Sequence, residues 1–205
     1  MYENGHSAAV MNPSSEEVLY VVRGKGQCHV NGFSYDLASD TGVFIPPGTE
    51  YSVQNAEAVP LMIVSALCPE DPNRTIKNES STRVPLGSKP ELTVHVGNRE
   101  KLPATAGREF CFMVDKELGC QQVTQFVGWI PPSAAPFHHH EYEEVIYILA
   151  GKGILHVAEE SIPFETGSSI YLPVRVPHCL ENPGPLAMRV LGVFYPSGSP
   201  AAAYH

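Results

Sequence analysis

The chain has 205 residues, 43% of them apolar and 17% charged, ordinary values for a globular protein with one large or two small hydrophobic cores. Its net charge is −9 and its densest basic spot is only Arg99 and Lys101, which argues against nucleic-acid binding, since that requires a positive footprint. No apolar run approaches the roughly 18 residues of a membrane helix. The five cysteines (Cys28, Cys68, Cys111, Cys120 and Cys179) are odd in number and too dispersed for a disulfide framework or a zinc knuckle, so they read as buried free thiols.

The opening residues, MYENGHSAAVMNPSSEE, have neither the charged start nor the apolar middle of a signal peptide, and the expected location is cytoplasmic. Next comes EEVLYVVRGKG (16–26), dense in Val, Leu and Tyr over 18–22, with Gly24 and Gly26 where a hairpin turn needs them. VFIPPG (43–48) and LMIVSAL (61–67) read as further strands. The stretch CPEDPNRTIKNESSTRVPLGSKP (68–90) is polar and broken by prolines, as a surface linker would be. Strands follow in LTVHV (92–96), EFCFMV (109–114) and QQVTQFVGWI (121–130). After FHHHEYEE (137–144) come an apolar strand over 145–149, glycines at 151 and 153, ILHV (154–157), SIYLPV (169–174) and MRVLGVFYP (188–196). The end, PSGSPAAAYH, reads as an extended or mobile tail. Almost nothing has a period of 3.6, and short strands with regular turn signals predict an all-β sandwich or barrel.

Two of these stretches are twins. EEVIYILAGKG (143–153) repeats EEVLYVVRGKG at an offset of 127 residues, and the match runs without a gap for roughly forty positions, through Pro46 and Pro173 to Asn55 and Asn182. That is the mark of a duplicated domain. The expected division is a first domain over 1–70, a linker and connecting strand over 71–105, and a second domain over 106–205.

FHHHEYEE is internal, so it is a polar turn or a metal site. His138 and His140 are two apart; on a strand they share a face, with Cα atoms about 6.5–7 Å apart, and His139 points the other way. Glu144 would lie about 13 Å beyond His140 on a straight strand, so the chain must turn within Glu141–Glu143 for it to face back. His178, after a proline-bounded loop, is a fourth candidate.

These residues resemble the cupin superfamily, whose motifs read G-x5-HxH-x3,4-E-x6-G and G-x5-PxG-x2-H-x3-N. His138, His140, Glu144 and Gly151 match the first; Gly167, Pro173, His178 and Asn182 match the second. Arg175 stands where the glycine of PxG is usual, and the leading glycine of the first motif is displaced to Gly128. The resemblance implies a bicupin of two tandem jelly-roll (double-stranded β-helix) barrels. It further implies that His138, His140, Glu144 and His178 hold one divalent transition metal per chain. Three nitrogens and one oxygen favour Fe(II) or Mn(II), with Ni, Co, Cu and Zn compatible. In the first copy the equivalent positions are Met11, Pro13, Glu17 and Tyr51, so a degenerate, metal-free barrel is expected there, packing against the second; the alternative is that Met11, Glu17 and Tyr51 line an organic pocket.

Several other residues compete for roles. Glu143 is the rival of Glu144: spacing to Gly151 favours Glu144, while alternation does not decide because both faces of 145–149 are apolar. Glu141 and Tyr142 sit in the turn and are expected to face solvent. His29 and His156, equivalent in the repeat, read as structural; His6, His95 and His205 show no partner pattern. Thr124, Gln125 and Trp129 precede the histidines and read as core or rim, and a buried Gln125 would need a partner. There is no GxSxG, P-loop or dinucleotide fingerprint. The family includes dioxygenases, decarboxylases, isomerases and binding proteins. The leading expectation is a metal-dependent oxidoreductase of dioxygenase type acting on a small oxygenated organic molecule. The alternatives are an isomerase or lyase of a sugar or keto acid, with Glu144 moving a proton, and a non-catalytic small-molecule binding module. A homodimer is the expected assembly.

Overall fold

The computed structural model describes residues 5–55, 57–77 and 87–201, and these are almost entirely β. The chain forms two compact units: Met1–Asn98 with Lys116–Cys120, and Arg99–Asp115 with Gln121–His205.

The first unit is built on β1 (Glu16–Arg23), β2 (Lys25–Val30), β3 (Phe33–Ala38), β4 (Thr41–Ile45), β5 (Glu50–Asn55) and β6 (Met62–Cys68). One sheet runs β3, β2, β5, Ala9–Met11, Thr75–Lys77, with Gly5–His6 also on β5; the other runs Thr93–His95, β4, β1, β6. The second unit is built on β7 (Glu109–Val114), β8 (Thr124–Ile130), β9 (Glu143–Ala150), β10 (Lys152–Val157), β11 (Glu160–Glu165), β12 (Ser169–Leu172), β13 (His178–Asn182) and β14 (Met188–Tyr195). Its larger sheet runs Leu102–Pro103, β7, β8, β14, β9, β12, and its smaller one Ser133–Ala134, β13, β10, β11. All neighbouring strands are antiparallel.

The duplication is visible down to single hydrogen bonds. β9, β10 and β11 have the bounds of β1, β2 and β3 shifted by 127 residues. The β1–β6 pair is irregular between Val21 and Arg23, and the β9–β14 pair between Ile148 and Ala150, the same place. His29 bonds Ser34 through Nδ1 and Gln54 through Nε2; His156 bonds Ser161 and Glu181 in the same way. Both imidazoles therefore tie three strands together. Gly24 and Gly151 occupy the hairpin turn with φ of +88° and +101°, a left-handed conformation that a side chain would strain. A Cβ would also press on the backbone of Leu61 in one copy and on Met188 in the other.

The first unit continues beyond residue 70 because two short strands from the expected linker join its sheets: Thr75–Lys77 beside Ala9–Met11, and Thr93–His95 beside β4. The middle of that linker, 78–86, lies outside the described residues, as do His205 and the last residues of the tail. The described part of the tail is extended, one of the two expected forms, and is tied down by hydrogen bonds. Ser197 shares a 2.6 Å hydrogen bond with the Thr124 hydroxyl, the Gly198 amide donates to the same hydroxyl, and the Ser199 carbonyl accepts from Tyr142. Gly198 lies flat against the Tyr142 ring, leaving no room for a Cβ.

All five cysteines are free; four are buried and Cys68 is half-buried. Burial, with the Glu17 charge adding to it, pushes the Cys28 thiol up to about 12. Among the described residues no helix is long and apolar enough to cross a membrane.

Candidate metal centre

In the second unit His138 and His178 face each other across an isolated antiparallel bridge, each amide donating to the other's carbonyl at 3.0 and 2.9 Å. The histidine segment is thus held by bridging and is not a full strand. It is secured again at His140, whose carbonyl accepts from the Arg175 amide at 2.8 Å. Arg175 has φ of +61°, so the glycine expected at this turn is replaced by an arginine in the same left-handed conformation, with its guanidinium on Glu141.

The bridge and the strand alternation bring His138, His140 and His178 together, with ligand atoms within 4.8 Å of one another. Two of the rings have fixed polarity. The Nδ1 of His138 meets the Pro136 carbonyl at 3.1 Å and that of His178 meets the Val176 carbonyl at 2.9 Å, so each Nδ1 carries the proton and each Nε2 presents a lone pair. Burial holds the His178 pKa down at about 4, and the adjacent His138 and His140 add to that, so its imidazole is neutral.

The chain bends at Glu141 and Tyr142 and enters β9 at Glu143. Glu144 turns inward with 6% exposure while Glu143 is exposed. Glu144 Oε2 lies 3.6 Å from His140 Nε2 and 3.7 Å from His178 Nε2. Burial raises the Glu144 pKa to about 8, with only the Arg108 charge opposing it, so at neutral pH its contact with the neutral His178 is not an ion pair. Three clustered imidazoles, two of them presenting Nε2 lone pairs, and one buried carboxyl beside them fit a divalent transition metal. His139 lies outside the cluster, beside Glu141.

A pocket opens above the group, enclosing about 610 Å3 of non-atom space including its mouth. Phe110, Phe126, Ile146, Val190 and Phe194 form apolar walls, and Trp129 and Arg108 also line it. Trp129 takes the rim position expected of it, with Lys101 Nζ 4.1 Å above its ring. Gln125 is buried, and its Oε1 has no partner, but it does not line the pocket.

Tyr142 departs from expectation: it is 9% exposed, stacked on His140 with ring centroids 5.0 Å apart, and donates to the Ser199 carbonyl at 2.6 Å. Its aromatic body prefers the cluster with Phe110, Phe126 and Phe194 over solvent. Tyr142→Phe is expected to remove about 1 kcal/mol of stability. In scanning calorimetry this should appear as a fall of roughly 2–4 °C in Tm; an unchanged Tm would mean the tail is not held by this bond.

The first unit's counterpart is organised differently. Glu17 is fully buried; its Oε2 accepts from Asn12 at 2.6 Å and its Oε1 from Tyr51 at 2.8 Å and Ser65 at 2.5 Å. Arg74 Nη2 lies 3.7 Å from Oε1. Both carboxylate oxygens are thus engaged by neutral donors and a guanidinium. Met11 sits in a strand paired on both sides, opposite Glu50 on one and Thr75 on the other. Asn12, Ser65 and Arg74 were not singled out by the motif, since none occupies a ligand position.

The Cupin domain family matches residues 1–67 and again 127–194. A mutant of oxalate decarboxylase from Bacillus subtilis superposes with a TM-score of 0.78 at 14% identity, covering 97% of this chain and 68% of that one. A putative glyoxylate induced protein from Pseudomonas aeruginosa superposes with a TM-score of 0.67 at 20% identity, covering 95% and 76%. Such identities speak to the fold. By sequence, an uncharacterized protein of Methanocaldococcus jannaschii is 36% identical over 58 residues, 28% of this chain and 46% of that protein. The match to a mannose-1-phosphate guanylyltransferase from Salmonella montevideo covers 12% of that enzyme, so the chain spans less than half the length of these curated relatives.

Proposed function

This chain belongs to the cupin family, and from that premise we propose that its second unit is a metal-dependent oxidoreductase site of dioxygenase type acting on a small oxygenated organic molecule. The observation that carries the reading is the cluster of His138, His140 and His178, with the buried Glu144 beside His140 and His178, in the lining of an apolar-walled pocket. These four residues would hold one divalent ion per chain, with Fe(II) or Mn(II) favoured. Such an ion supplies Lewis acidity and free coordination positions for substrate. The protein supplies the rest. His138 and His178 are oriented by the carbonyls behind their Nδ1 atoms. Phe126, Ile146 and Phe194 exclude water and strengthen polar interactions inside the pocket.

Oxygen uptake by metal-reconstituted protein, measured with a panel of small keto and hydroxy compounds, tests the reaction class. Turnover that is equal with and without oxygen overturns it. One observation favours a second reading, an isomerase or lyase: the Glu144 carboxyl is held near 8 by burial, where a group can both keep and release a proton. Incorporation of solvent deuterium into substrate without oxygen uptake would select that reading, and a tight ligand without turnover would select a binding module. We further propose a cytoplasmic homodimer; a monomeric mass by light scattering would overturn the dimer.

A further inference from the structure

The pocket contains a cation that the metal reading leaves unused. Arg108 lines it, is half-buried, and donates from Nη2 to the Leu180 carbonyl. Its Nε is buried and has no hydrogen-bond partner. Among the described residues it makes no ion pair, whereas the first unit's Arg74 lies 3.7 Å from Glu17. Glu109, the other carboxylate of the lining, is already paired with Lys101 at 3.2 Å. A desolvated guanidinium with an unfilled N–H is costly unless a ligand completes it.

Its position is held by local strain. Arg108 follows the turn Thr105–Gly107, in which Ala106 adopts φ of +59° and Gly107 φ of +69°. A non-glycine residue in that region costs on the order of 1 kcal/mol, and such strain collects at functional sites. The turn is closed by the Ala104 amide donating to the Arg108 carbonyl at 2.8 Å. The hydrogen bond to Leu180 then fixes the head group. Leu180 is two residues beyond His178 on β13, so its anchor lies roughly 7 Å along the strand from that of the imidazole. A molecule of a few heavy atoms can reach from one to the other.

We propose that Arg108 is the substrate-recognition residue of this site and that the substrate class is a small organic carboxylate, its carboxylate received by the Arg108 guanidinium. This rests on the reading of the second unit as a metal site. A guanidinium fork suits a planar carboxylate in a way that it does not suit a neutral hydroxyl or amide. The apolar walls take the remainder of the molecule. Arg108 binds and orients and takes no part in bond making.

The test uses full-length, metal-reconstituted protein and the salts acetate, propionate and 2-oxobutyrate against acetamide and propionamide. Trp129 is the only tryptophan of the chain and lines the pocket, so its fluorescence reports occupancy beside calorimetry. Carboxylates should bind at least about tenfold more tightly than the matching amides. Arg108→Gln should weaken carboxylate binding roughly 10- to 100-fold and erase the preference, and Arg108→Lys should restore only part of it. Ions per chain, measured on the same samples, should be unchanged by either substitution. Equal binding of amide and carboxylate by the native protein, or unaltered binding by Arg108→Gln, overturns the proposal while a full metal content leaves the metal reading standing. A native protein that takes up no metal defeats that reading instead, and the carboxylate preference of the same protein still decides Arg108.

Discussion

His140→Ala is expected to remove the metal of the second unit: ions per chain in purified, reconstituted protein should fall from about one to near zero. His140 is buried, stacked on Tyr142, and its Nε2 faces Glu144 at 3.6 Å, so no neighbour can replace it. Loss of an outer partner alone typically weakens metal affinity 10- to 100-fold, and loss of a ligand should weaken it by at least about 100-fold. The first unit offers no refuge, because Glu17 is already saturated by Asn12, Tyr51 and Ser65. Elemental analysis giving two ions per chain in the native protein, or an unchanged content in His140→Ala, would contradict this assignment. The pH dependence has a definite sign. Metal binds the deprotonated ligands. The His178 imidazole, held down at about 4, is already free at neutral pH, whereas Glu144, raised to about 8, still carries its proton. Affinity should therefore rise about tenfold per pH unit from pH 6 towards 8 and level off above it, with one proton released per ion bound below pH 8. A flat profile over that range would show that Glu144 is ionised before the metal arrives.

Phe194→Ala should produce the largest loss of stability. Phe194 is fully buried, with its ring centroid 4.8 Å from Phe126, 4.4 Å from Tyr142 and 5.3 Å from His140. Truncating a buried phenylalanine costs about 3–5 kcal/mol, a large fraction of the roughly 5–15 kcal/mol that stabilises a whole protein. Urea titration followed by Trp129 fluorescence reads the second unit, since no other tryptophan exists. The midpoint should fall sharply with little change in slope. Phe194→Leu, which keeps most of the volume, should lose less than about 1.5 kcal/mol. A loss below about 1 kcal/mol for the alanine variant would mean that this aromatic cluster is not what supports His140.

Much of this was legible in the sequence because the signals are local. The offset of 127 residues, the turn glycines and the strand-length apolar runs each depend on neighbours in the chain, and the structure repeats them strand for strand. The pairing of His138 with His140 was legible for the same reason, since HxH places two imidazoles on one face, whereas His178, 38 positions further on, joined the ligand set through the resemblance to the cupin motifs. The choice between Glu143 and Glu144 rested on spacing alone. It became visible in the packing, where Ile146 and Ile148 share the inward face of β9 with Glu144 while Val145 is exposed.

What only the tertiary structure decided are the contacts between residues far apart in sequence. Arg108 meets Leu180 across 72 positions, Tyr142 meets Ser199 across 57, and Ser65 meets Glu17 across 48. No period or motif relates such pairs. An arginine before a strand reads as a surface charge, and a tyrosine in a polar turn reads as solvated, until the sheet opposite is in place. Strand identity and the repeat follow from backbone preference and hydrophobic alternation, which act over a few residues. The environment of a polar side chain follows from desolvation, which depends on everything that packs around it, and that is set by the folded barrel alone.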